Sequence, residues 1–140
     1  MEQIAVLATV AQLNAVLDFV TEQARKTGMD IKSINECVLA TEEIFINISN
    51  YAYTPDSGYA TVGAKMDDSN FLIEFKDNGI KYNPLNREDP DIMQETEGRV
   101  PGGLGIFLAK KLMDEVSYVF HDGQNVLTMR KDIRMHNALL

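Results

Sequence analysis

The apolar positions of this chain change period several times, and each change marks an element. Gln3–Ala8 holds the longest unbroken apolar run, Ile4–Ala8, and is short enough to be a strand. Thr9, with Gln12 three residues on, has the pattern of a capping box and predicts a helix to about Lys26, ended by Gly28. Asp30 is the expected cap of a second helix running to about Tyr51. Within it Ile34, Val38, Thr41, Phe45, Ile48 and Ala52 step by four and three, which makes one mostly apolar stripe. A turn at Pro55–Gly58 then leads into two predicted strands, Tyr59–Asp67 and Phe71–Asp77, joined by a polar Asp68–Asn70 hairpin.

From Asn78 to Gly103 the periodicity stops, and glycines and prolines punctuate the segment. A stretch of that length in a compact domain is functional or disordered. Leu104–Met113 reads as a short helix with Lys110 and Lys111 at its end. Val116–Phe120 and Gln124–Arg130 form a last hairpin across His121–Gly123, and the final ten residues hold one helical turn at most. Neither a repeat nor a linker interrupts this order. The expectation is a single α/β domain over residues 1–140.

Composition narrows the function. Hydrophobic residues at 45% and charged residues at 24% exclude disorder. The apolar runs fall far short of the ~20 residues that span a bilayer, and no secretory leader is legible, so a cytoplasmic protein without membrane contact is expected. Cys37 stands alone and cannot form an internal disulfide; His121 and His136 are too few for a histidine-rich metal site. Thirteen basic against 21 acidic residues leave a net charge of −8, which opposes direct nucleic-acid binding. A phosphate-bearing ligand must therefore be held by local N–H groups, a metal or a few placed cations.

Three constellations could carry chemistry. Glu43 and Asn47, four apart, stack on the helix face opposite the apolar stripe, together with Glu36 and Asn50. That face is either solvated, or it offers a general base and a carbonyl oxygen for Mg²⁺. Asp77 continues the alternation of Phe71, Ile73 and Phe75, so its carboxylate points to the core side and wants donors. A nucleobase amino group is one such donor, and Gly79 would let a ligand approach the backbone; a strand-end aspartate turned to solvent is the alternative. Gly102-Gly103-Leu104-Gly105 runs straight into a helix and is either a phosphate cradle or a tight turn.

Taken in this order, the three resemble the GHKL-type (Bergerat fold) ATP-binding domain, in its bacterial anti-sigma factor and serine-protein kinase branch. The matching segments are Glu42–Tyr53, Asp77–Leu85, Gly102–Tyr118 and Gly123–Lys131, so the resemblance spans nearly the whole chain. It implies an α+β two-layer sandwich: a mixed sheet, helices on one face, and ATP held under a flexible lid. It implies Asn47 as Mg²⁺ ligand, Glu43 as the base that activates a serine or threonine hydroxyl, and Asp77 as acceptor of the adenine amino group. Thr128 would lie near the base, Gly79, Gly103, Leu104 and Gly105 would line the nucleotide, and Arg99 would meet the γ-phosphate. The implied partners are an anti-sigma-factor antagonist protein as phosphate acceptor, a sigma factor, and a second copy of the chain. Three departures stand out: Tyr51 where the family often has His, Lys81-Tyr82 where it often has Pro-Phe, and no Lys or Arg before Arg25. The last weakens the match to a sigma-factor surface. An ATP-dependent regulatory binding module without catalysis is the alternative function.

Overall fold

The computed structural model describes residues 1–53, 56–86 and 103–134. Strand β1 (Glu2–Leu7) leads through a 3₁₀ turn into α1 (Leu13–Lys26) and then α2 (Ile31–Tyr51). Strands β2 (Tyr59–Asp67) and β3 (Asn70–Asp77) follow, then α3 (Gly103–Leu112), β4 (Glu115–His121) and β5 (Gln124–Asp132). The sheet order is β1-β2-β3-β5-β4, and every pairing is antiparallel. The two layers agree with expectation; the sheet, however, is antiparallel throughout where the resemblance implied a mixed one. The connections explain it. Two hairpins join β2 to β3 and β4 to β5, and the link from β1 to β2 carries two helices, which return the chain in the opposite sense. The β4–β5 turn is Asp122-Gly123, with φ of 53° and 77°, the conformation that matches the twist of a two-residue hairpin.

Alternation along the strands puts Val62, Ala64, Ile73, Phe75, Leu127 and Met129 on the face that the helices cover. Asp30 caps α2 as expected, accepting from the Ser33 N–H at 2.8 Å. Thr9 does not cap α1. A 3₁₀ turn at Val10–Gln12 intervenes, and the Thr9 side chain makes no capping bond. More consequential is the packing of α2 against α1 and α3, with its buried side chains in one core with those of the sheet. Beside the expected stripe, a second one (Ser33, Cys37, Ala40, Ile44 and Asn47) is fully buried. The face opposite the first stripe is thus not a solvated face at Asn47. Near its start, Glu36 pairs with the buried Lys131 ammonium at 3.1 Å, and Lys131 also donates to the Leu112 carbonyl at the end of α3. Burial pushes the neighbouring Cys37 thiol up to about 12, so this cysteine is an inert part of the core. Among the described residues no helix is long and apolar enough to cross a membrane.

Candidate functional site

The C-terminal half of α2, the end of β3 with the segment after it, and the β4–β5 hairpin line a cleft open to solvent. Its walls are largely apolar, from Ile44, Ile48, Phe75 and Leu127; its polar groups are Asn47, Asp77 and Asn125, with Tyr51, Tyr82 and Tyr118 around them. That balance of apolar wall and a few convergent polar groups is typical of a small-molecule site.

Asp77 ends β3 on the helix-covered face, as the parity of the strand predicts, and is 5% exposed. Its Oδ1 accepts from the Gly79 N–H and from Asn125 Nδ2, each at 2.9 Å. The turn that follows is wedged against the end of α2. The Ile80 N–H donates to the Ala52 carbonyl at 2.9 Å, and a Cβ on Gly79 would lie 2.2 Å from that same oxygen. Only glycine permits this approach. Tyr53 locks the other side, its hydroxyl donating to the Tyr59 carbonyl and accepting from the Asn78 N–H, both at 2.7 Å.

Asn47 is 7% exposed, and its Nδ2 is buried without a hydrogen-bond partner. The orphaned group is a donor, so in a cleft it is an unmet demand for an acceptor such as a phosphate oxygen. One turn earlier, Glu43 is half-buried, and this desolvation raises its carboxyl above the ordinary value, with Glu42 adding repulsion. Glu43 leans on the first turn of α3: a Cβ on Gly105 would stand 2.5 Å from its Oε2. Gly103 and Leu104, members of the glycine cluster, open that helix. Among the described residues no group of three or more His, Cys, Asp or Glu side chains could cage an ion. A cation here would depend on the Asn47 amide oxygen and on the ligand's own oxygens, which suits Mg²⁺, an ion that keeps several waters.

Of the expected site residues, Asn47 and Asp77 line the cleft, whereas Glu43, Gly79, Leu104, Gly105 and Thr128 do not. Thr128 lies on the other side of the sheet. It pairs across β5 with Glu74 and Ser117 on the open face, three residues from Asn125 and opposite in parity. Arg99 and the lid segment fall outside the described residues. Conversely, Asn125 was overlooked although it had a signal: it alternates with Leu127 and Met129, a polar residue on an apolar face, which is the argument that singled out Asp77.

The model of the histidine kinase-like ATPase domain matches residues 6–131. A protein of Bacillus cereus strain ATCC 10987 named serine-protein kinase RsbW is 30% identical over 108 residues, covering 74% of this chain and 68% of the relative. The protein of the same name from strain AH187 is 29% identical over the same lengths. In fold, the chain is similar to the crystal structure of RsbU and RsbW domains from Mycobacterium tuberculosis, with TM-score 0.65 and 20% identity over 95% of this chain. It spans 33% of that longer chain. A histidine kinase domain from Erythrobacter litoralis gives TM-score 0.60 at 15% identity, covering 91% of this chain and 64% of the other.

Proposed function

Because this chain belongs to the histidine kinase-like ATPase domain family, we propose that it binds ATP with Mg²⁺ in the cleft and phosphorylates a serine or threonine of an anti-sigma-factor antagonist protein. The observation that carries the reading is the pairing of a buried carboxylate, Asp77, with an orphaned buried amide, Asn47, in one apolar cleft. Asp77 accepts the adenine amino group through the oxygen that Gly79 and Asn125 leave unused. Asn47 offers its amide oxygen to the metal and its Nδ2 as a donor to a phosphate oxygen. The start of α3, Gly103-Leu104-Gly105, supplies unpaired helix N–H groups to phosphate oxygens. When bound, Mg²⁺ neutralises phosphate charge and orients the groups that transfer.

In the transfer itself the acceptor hydroxyl oxygen bonds to the γ-phosphorus as the bond to the ADP oxygen breaks. The hydroxyl proton passes to the Glu43 carboxylate, whose raised affinity for protons moves it toward the range useful to a general base. The same reading places the protein in the cytoplasm, as a homodimer that also engages a sigma factor. One observation favours a second reading: Glu43 packs against Gly105 and does not line the cleft. In that reading ATP gates partner binding with no transfer.

The nucleotide site is tested by calorimetric titration of ATP into wild type and Asn47→Ala, with Mg²⁺ and with EDTA. The loss of affinity in the variant is expected to be clearly larger with Mg²⁺. Equal loss under both conditions would make Asn47 a structural residue of α2.

A further inference from the structure

Asn125 stands directly across from Asp77, paired with it between β5 and β3, and is 7% exposed. Its amide is saturated. Nδ2 donates to Asp77 Oδ1 and to the Ile80 carbonyl, each at 2.9 Å. Oδ1 accepts from the Tyr82 N–H at 3.1 Å and from the Tyr118 hydroxyl. The neighbours fix which way the amide points. A carboxylate and a carbonyl only accept and a peptide N–H only donates, so the reversed amide would set acceptor against acceptor and donor against donor. One side chain therefore ties the carboxylate, the 80–82 segment and β4 into a single rigid rim.

We propose that Asn125 is a positioning residue: with the Gly79 N–H it pins Asp77 Oδ1, so that Oδ2 alone is presented to a ligand donor, and this sets the preference for adenine over guanine. The inference rests on the reading of the cleft as an adenine-nucleotide site. Guanine carries a carbonyl where adenine carries its amino group, and a carboxylate held rigidly against that carbonyl leaves two acceptors facing each other. A carboxylate free to swing away would blunt the penalty. Asn125 acts through Asp77 and not on the base.

The test titrates ATP and GTP into the full chain as wild type, Asn125→Ala and Asn125→Asp from pH 5.5 to 8, with thermal melts to establish folding. Wild type should prefer ATP by about tenfold or more. At pH 8 both variants should lose most of that preference, chiefly through weaker ATP binding. Asn125→Asp keeps the shape but sets a second carboxylate beside Asp77; as pH falls the pair shares a proton, and a donor to Asp77 returns. Only this variant should regain ATP preference toward pH 5.5. The nearby phenols of Tyr53 and Tyr118 are raised above their ordinary value of 10.0, burial first, and stay neutral across this window. If the alanine variant does not fold, the pH profile of the aspartate variant decides. ATP and GTP weakened alike at every pH would overturn the inference. Wild type that binds both nucleotides equally, or neither, would overturn the nucleotide reading and the inference with it, before any variant is compared.

Discussion

Glu43 is where stability and chemistry oppose each other most directly. Its carboxyl is raised from the ordinary value of 4.5 by partial burial and by Glu42. The sign follows from linkage. Above about pH 4.5 the unfolded chain releases this proton more readily than the folded one, so stability falls as pH rises through the raised value. Glu43→Gln removes that penalty without changing shape. It should melt above wild type at pH 7.5, with the difference vanishing toward pH 4; a variant that melts lower at pH 7.5 would mean that the carboxylate is supported by its surroundings. At this scale Asp77 was legible, because strand parity alone says which way a side chain points. Thr128 was misplaced because it was assigned by resemblance and not by parity. Asn125, one register step from the hairpin turn, obeys the rule that the assignment of Thr128 ignored.

Helix α2 was found by its periodicity and its Asp30 cap, both local properties of the sequence. Its second buried stripe was hidden because Ser33 and Asn47 break the apolar pattern and Cys37 and Ala40 are small. Burial there comes from α1 and α3 packing on the helix and from the core it shares with the sheet, which no window of sequence contains. The contact between the end of α2 and the turn after β3 is equally non-local, and its close approach depends on Gly79. Gly79→Ala drives a Cβ into the Ala52 carbonyl at 2.2 Å, and a backbone oxygen cannot step aside as a side chain can. The expected cost is on the order of 1–3 kcal/mol. A melting temperature several degrees lower, together with weaker ATP binding, is the predicted result of thermal and calorimetric measurement. An unchanged melt would show that the two elements do not press on each other as closely as described.

For the molecule as a whole, a two-layer sandwich brings together groups from positions far apart in the chain: Asn47 from α2, Asp77 from β3 and Asn125 from β5. Under the proposed function, the acidic balance of the chain, net −8, leaves phosphate recognition to local N–H groups, a metal or a few placed cations, and the glycine cluster at the start of α3 is the segment suited to supply the N–H groups. The proposed function requires that this assembly move a phosphoryl group. The most direct measurement is transfer of radiolabelled γ-phosphate from ATP to the proteins that co-purify with the chain, with wild type beside Glu43→Gln. Wild type is predicted to label an antagonist protein on serine or threonine. The variant should bind ATP as well but transfer about 10²–10⁴-fold more slowly, the usual worth of a general base. Transfer undiminished in Glu43→Gln, or tight ATP binding by wild type with no transfer at all, would contradict it.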